Sequence, residues 1–285
     1  MRSYIKTVNP NLVVSFSTPF NIISLVALFG TGVKIVISER SDPARFKRGF
    51  FNKSLRNLLY CTAEGILVQT ETSKTHLWQK LAMKASVIPN PILMNEKYIG
   101  CALETEKKHL IVTVARLIPL KRLDLLIKVF SIFLVSHPNY QLIIYGEGKE
   151  RDNLQKQICE LGLDSMVFMP GAVEELWDKI KESEMFVINS EFEGMSNALL
   201  EAMCLGLPCI STKVSGALDV IKDGENGLLI DVNDESGLLK AMTKLAENSS
   251  LRAVMGQNAV GISHDFGLER VIDQWYDYLD GKLVP

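Results

Sequence analysis

Short β-branched runs alternate along this chain with longer segments of helical period. Parallel sheets built from βαβ units produce that pattern, whereas helical bundles and antiparallel sandwiches do not. The first set of predicted strands covers 12–16, 34–38, 65–69 and 85–88, with helices near 19–28, 46–60 and 70–81 between them. Ile88-Pro89-Asn90-Pro91 closes this set, because two prolines two residues apart fit neither a helix nor a central strand, and a polar stretch over 95–109 follows. A second set of strands runs through 110–115, 141–145, 166–169, 185–188, 209–212 and 227–230. Its helices fall around 124–136, 150–161, 173–182, 196–205, 218–221 and 236–248. The expected organisation is a first α/β domain over 1–93, a hinge over 94–109, a complete doubly wound domain over 110–265, and a C-terminal helix over 266–285 returning toward the first domain.

Composition removes several classes of function. The 31 Lys and Arg against 33 Asp and Glu leave a net charge of -2, so no global positive excess points to a nucleic-acid partner. The longest nearly apolar stretch, 22–33, is interrupted by Ser24, Gly30, Thr31 and Gly32 and falls short of the roughly 20 residues of a spanning helix. No apolar run of signal-peptide type follows the first residues. Cys61, Cys101, Cys159, Cys204 and Cys209 form no C-x-x-C pair, His76, His109, His137 and His264 are scattered singly, and no D-x-D occurs. A cytoplasmic location and no resident metal or cofactor are the expectations.

Three segments carry candidate chemistry. In the first, Glu193 and Glu201 stand eight residues apart, one in the loop leaving a strand and one inside the next helix. Ser196 is placed to cap that helix, whose free first-turn N–H groups and dipole suit a phosphate. Two solvated carboxylates are the plainer reading. Against it, Ala198, Leu199, Leu200, Ala202, Met203 and Leu205 make the helix apolar nearly all round, where an unpaired charge is costly. In the second, Arg116 and Lys121 follow a strand directly, where open α/β sheets collect ligands, although loop cations are commonly solvated surface charges. In the third, Gly146-Glu147-Gly148 again follows a strand, with glycines that permit close backbone approach but serve any strand-to-helix turn.

Together with 167–171, Gly206-Leu207-Pro208, Ser215-Gly216 and Asp223-Gly224-Glu225-Asn226-Gly227, these segments resemble the nucleotide-sugar domain of the family 4 glycosyltransferases. Those are retaining enzymes of the GT-B fold, and the resemblance extends over roughly 110–279. It implies two Rossmann-like doubly wound domains facing a cleft, the N-terminal one incomplete. It also implies transfer of a sugar from a nucleoside diphosphate donor, UDP-linked by expectation, to a saccharide or lipid-linked saccharide in polysaccharide or glycolipid synthesis. On that resemblance Arg116 and Lys121 neutralise the diphosphate, Gly146 and Glu147 line the donor loop, and backbone near Gly171 reads the base. Met195, Ser196 and Asn197 lie at the diphosphate, Glu201 holds the ribose and Glu193 stands beside the donor sugar, with no metal required. A non-catalytic nucleotide-sugar-binding remnant and a GT-B nucleotide-sugar epimerase are the rival readings.

The N-terminal half departs from that pattern. The family's opening strand and glycine-rich loop have no counterpart before Leu12, and Ser38-Glu39-Arg40-Ser41-Asp42-Pro43 stands where many members carry a histidine. This variation resembles a bacterial polysaccharide subgroup and makes Glu39 and Arg40 acceptor-side candidates. The chain beginning at Met1 is accordingly expected to bind donor, to transfer poorly and to associate through its first half. Over 40–60, Arg40, Arg45, Lys47, Arg48, Lys53 and Arg56 oppose Asp42 alone, with Phe46, Phe50 and Phe51 interleaved. Two readings stay open: an exposed basic helix whose aromatics pack on the sheet, or a peripheral contact with anionic lipid at the inner face of a membrane.

Overall fold

The computed structural model describes residues 1–43 and 50–283, apart from the side chains of 50–52 and 283. Among the described residues ten strands form two sheets, and every pairing is parallel. The chain divides into two units: Met1–Pro91 with Glu193–Met195 and Phe266–Pro285, and Ile92–Phe192 with Ser196–Asp265.

In the first unit β1 (Leu12–Phe16), β2 (Lys34–Ser38), β3 (Gly65–Val68) and β4 (Ala85–Val87) lie in the order β1-β2-β3-β4. Every crossover steps in the same direction, and right-handed crossovers of that kind put their helices on one face. The pleat divides the strand side chains accordingly. Ile35, Ile37, Ile66 and Val68 pack with Leu25, Leu28, Tyr60, Leu77 and Leu81, while Val36 and Leu67 face Val271 and Trp275 of the helix Leu268–Leu283. The residues before β1 form a helix, Arg2–Val8, ended by Asn9 in the left-handed region at φ 47°. The helix expected over 70–81 is two pieces, Glu71–Thr75 and Gln79–Ala82, because Trp78 is extended at ψ 144°.

Of the expected helix 46–60, the part Phe50–Tyr60 is described. Arg45, Phe46, Lys47 and Arg48 lie outside the described residues, as do the side chains of Phe50 and Phe51. Arg56 corrects the reading of this stretch as an exposed basic face, since it is only 1% exposed. Its Nε and Nη2 donate to Asn57 Oδ1 at 3.0 and 2.9 Å, its Nη1 donates to the Pro43 carbonyl at 3.3 Å, and its guanidinium sits 5.6 Å from the Tyr60 ring centroid. Glu39, directly after β2, is buried as well, and its carboxyl feels the Arg56 charge. Thr18 Oγ1 donates to Glu39 Oε2 at 2.7 Å and Tyr60 donates its hydroxyl to Oε1.

Burial raises the Glu39 pKa above the ordinary carboxyl value, against the lowering effects of Tyr60, Thr18 and Arg56. The folded chain therefore holds this proton more tightly than the unfolded chain. The stabilisation linked to it is complete below the unfolded carboxyl range and is lost as pH rises through the raised folded-state value. Thermal unfolding of wild type and Glu39→Gln at about pH 5 and about pH 8 checks this: the balance between them should shift toward the glutamine variant at the higher pH. An equal difference at both would show that burial does not move this carboxyl.

The second unit carries β5 (Lys108–Val114), β6 (Gln141–Tyr145), β7 (Val167–Gly171), β8 (Ser183–Ile188), β9 (Cys209–Thr212) and β10 (Leu228–Ile230) in the order β10-β9-β8-β5-β6-β7. Winding proceeds outward from β5 to β7 and then restarts at β8 on the other side of β5. The topological switch point, where such sheets bind ligands, therefore lies between the carboxyl ends of β5 and β8. Helix Leu123–Phe133 buries Leu123, Leu125, Leu126, Ile127, Val129, Phe130 and Phe133 in the core. The helix expected over 173–182 contracts to Leu176–Ile180, because Glu175 adopts the left-handed region at φ 52° and cannot continue a helix. A helix not anticipated from the sequence, Ser249–Val260, packs against Asn197–Leu205 so closely that a Cβ on Gly256 would lie 2.3 Å from the Gly206 carbonyl oxygen.

Candidate functional site

The loops leaving β5, β6, β7 and β8 in the second unit are joined by backbone hydrogen bonds. Leu117 N–H donates to the Glu147 carbonyl at 2.9 Å, Gly146 N–H to the Gly171 carbonyl at 2.9 Å, and Glu191 N–H to the Leu120 carbonyl at 2.8 Å. The glycine pattern after β6 follows from this network. A Cβ on Gly146, at φ 127°, would stand 2.0 Å from the Ala115 carbonyl oxygen, and one on Gly148 2.3 Å from that of Leu117. The close approach predicted for these glycines is thus to the neighbouring loop's backbone.

Within this framework the loop after β5 is anchored by Leu117, which is fully buried, and closes in the turn Pro119–Lys121. Arg116 is exposed and Lys121 half-buried. Arg122 follows in the left-handed region at φ 47° and ψ 40°, a conformation disfavoured for a residue with a Cβ. It is held there from several sides. Asn189 Nδ2 donates to the Arg122 carbonyl at 3.1 Å, and the guanidinium reaches Glu191 at 3.2 Å and Asp124 at 3.1 Å. Asn189, only 4% exposed at the end of β8, thereby ties the cation-bearing loop to the strand across the switch point. Neither Asn189 nor Arg122 carries a sequence signature that would single it out. Asn189→Ala leaves the Arg122 carbonyl without this donor and should lower stability by about 1–2 kcal/mol in urea unfolding. No loss would show that the tie is replaced by solvent.

Gly171 adopts φ 89°, where a Cβ would meet Glu147 Oε1 at 2.6 Å. Glu147 is paired with Arg151 at 3.0 Å, and Arg151 also donates to the Met169 carbonyl at 2.6 Å, so the loop predicted to line the donor and the strand end predicted to read the base are cross-braced. The helix Asn197–Leu205 begins as the sequence predicts. Ser196 Oγ accepts from Leu199 N–H, and Asn197 stands exposed in the first turn.

Glu201 is half-buried on this helix, and Trp177 Nε1 donates to its Oε2 at 3.0 Å. Burial raises the Glu201 pKa, and the indole N–H opposes that rise. Arg116, Lys121, Gly146, Glu147, Gly171, Ser196, Asn197 and Glu201 all belong to the second unit. Glu193 and Met195 are grouped with the first, as are Glu39 and Arg40. Arg40 donates to Asn90 Oδ1, stacks 5.8 Å from the Phe16 ring centroid, and has its pKa lowered by burial. Among the described residues no group of three or more His, Cys, Asp and Glu is arranged to hold a metal ion, and no helix is long and apolar enough to cross a membrane.

A smaller parallel sheet wound in one direction, a six-stranded sheet with its switch point at β5 and β8, a cation-bearing loop and a capped helix at that point define the class: an enzyme of the GT-B fold. The chain belongs to the group 1 glycosyl transferases, whose family model matches residues 96–261. It is 30% identical to a Campylobacter jejuni N-acetylgalactosaminyltransferase that acts on an N-acetylgalactosamine-N,N'-diacetylbacillosaminyl-diphospho-undecaprenol, covering 92% of this chain and 74% of that protein. An uncharacterized glycosyltransferase of Haemophilus influenzae is 26% identical over 96% of this chain and 78% of its own length. Among solved structures, Anabaena HepE in complex with UDP superposes with a TM-score of 0.85 at 20% identity, covering 98% of this chain and 81% of that one.

Proposed function

We propose that this glycosyltransferase moves a sugar from a UDP-sugar to a saccharide or lipid-linked saccharide acceptor, with retention at the anomeric carbon, in the synthesis of a polysaccharide or glycolipid. The observation that carries the reading is the convergence, at the β5/β8 switch point, of the Arg116–Lys121 loop with the N-terminal turn of the helix bearing Glu201. Relatives support the donor and acceptor classes. HepE of Anabaena and TarM of Staphylococcus aureus have been crystallised with UDP, and two Campylobacter jejuni relatives act on saccharides carried by diphospho-undecaprenol.

When the donor's bond from the anomeric carbon to the phosphate oxygen breaks, its electron pair leaves with UDP and negative charge grows on the terminal phosphate. In this reading Arg116 and Lys121 meet that charge, aided by the N–H groups of the turn capped by Ser196. Glu201 accepts from the ribose, Glu147 and the backbone at Gly171 border the base, and Glu193 stands beside the sugar. Glu39 and Arg40, with the buried and unpaired Ser38 Oγ and Gln69 Nε2 nearby in sequence or on the adjacent strand end, form the acceptor side. Calorimetry of UDP in EDTA tests the donor half of the proposal. Saturable binding is expected without added metal, and binding that appears only with Mg²⁺ or Mn²⁺ would overturn it.

A further inference from the structure

Glu201 is a carboxylate on a largely buried helix, so the direction in which its oxygens point must be fixed by a partner. That partner is Trp177, reached across 24 residues from the short helix Leu176–Ile180. An indole N–H can only donate, so the 3.0 Å bond takes one acceptor position of Oε2, fixes the orientation of the carboxylate and leaves Oε1 to accept from a ligand hydroxyl. The indole is itself held. Tyr98 meets it edge-on at 5.1 Å and 62°, and the Tyr98 hydroxyl donates to Asp178 Oδ2 at 2.5 Å. Asp178 is paired with Lys181 at 2.6 Å, and the Lys181 carbonyl accepts from Lys107 Nζ at 2.8 Å. Gly100 N–H donates to the Cys204 carbonyl at 2.8 Å, tying the same connecting segment to the helix of Glu201 one turn further on. All of these residues lie in the second unit.

We infer that Trp177 is a positioning residue for donor recognition: its N–H holds one Glu201 oxygen so that the other receives the ribose hydroxyls, and Tyr98 fixes the indole that does so. The inference rests on the proposed role of Glu201 at the ribose. A neutral N–H to a carboxylate is the kind of bond whose loss costs about tenfold in affinity.

The test compares UDP with 2′,3′-dideoxyuridine diphosphate by calorimetry, on wild type, Trp177→Phe, Tyr98→Leu, Glu201→Gln and the Trp177→Phe/Glu201→Gln double variant. Trp177→Phe should weaken UDP roughly tenfold and leave the dideoxy ligand within about twofold. With a UDP-sugar it should raise the donor KM while kcat at saturation stays unchanged. Tyr98→Leu should show a smaller loss of the same selective kind. The double variant should be no weaker for UDP than Glu201→Gln alone, since the two changes remove one coupled interaction. Equal losses for both ligands in Trp177→Phe would make the indole a packing residue and overturn the inference, as would unchanged UDP affinity. If wild type itself fails to distinguish the two ligands, the ribose role of Glu201 is wrong and the inference falls with it. That outcome is separable from a failure at Trp177 because it appears before any substitution is made.

Discussion

Arg116→Ala and Lys121→Ala are each expected to weaken UDP binding by roughly ten- to a hundredfold, since a charge-assisted hydrogen bond contributes about 1.5–3 kcal/mol. The loop that carries both cations is fixed at several points. Leu117 is fully buried, its N–H is bonded to Glu147, and Arg122 is clamped by Asn189, Glu191 and Asp124. A cation on a braced loop loses little freedom on binding, so most of its electrostatic gain reaches the affinity. Arg116, already exposed, should be removable with little effect on folding. The control is uridine, which lacks the phosphates: its affinity should hardly change in either variant. Equal losses for uridine and UDP would mean that the substitutions had disturbed the fold, and retained UDP affinity would return both residues to the class of solvated loop cations.

Much of this architecture is legible in the sequence because parallel strands buried on both faces leave a strong local signal. The strands at Leu12–Phe16, Lys34–Ser38, Gln141–Tyr145 and Cys209–Thr212 begin and end where their β-branched runs do. The helix Asn197–Leu205 is equally plain, with a serine cap in front and Gly206 at φ 87° behind. Where local pattern misled, a tertiary contact had taken control. Helix Ser249–Val260 has a weak apolar stripe because Gly256 and Ala259 supply two of its three buried positions, Gly256 being where it closely approaches Gly206. Arg56 reads as a surface cation by its charged neighbours in sequence, yet Asn57, the Pro43 carbonyl and the Tyr60 ring hold its guanidinium in a buried place.

The candidate site divides in the same way. Arg116, Lys121, Ser196 and Glu201 are carried by spacing and by their position after strands, and the sheet order brings their loops together. Trp177, Asn189 and Arg122 support those residues through contacts whose partners lie 24, 67 and 69 positions away, and no local pattern encodes such distances.

Glu193→Gln and Glu201→Gln are expected to part company. The two carboxylates share a sequence motif, but their surroundings differ. Glu201 is half-buried on a helix of the second unit, its oxygens ordered by Trp177, whereas Glu193 sits in the loop that precedes the helix and is grouped with the first unit. A carboxylate that receives ribose hydroxyls acts on substrate and leaving group alike, so its replacement should lower UDP affinity about tenfold and raise the donor KM, with little change in kcat. A carboxylate beside the sugar makes no contact with UDP once the sugar has gone. Glu193→Gln should therefore bind UDP as wild type does while turnover with a UDP-sugar and acceptor falls by roughly a hundredfold or more, the scale of losing one group that responds to charge in the transition state. Calorimetry with UDP and steady-state kinetics on the same two variants separate these outcomes. If both keep full UDP binding and full turnover, neither carboxylate serves donor recognition or transfer. If Glu193→Gln loses UDP affinity as severely as turnover, its role is at the diphosphate or in holding the loop ahead of Ser196, and the assignment of the two glutamates must be exchanged or abandoned.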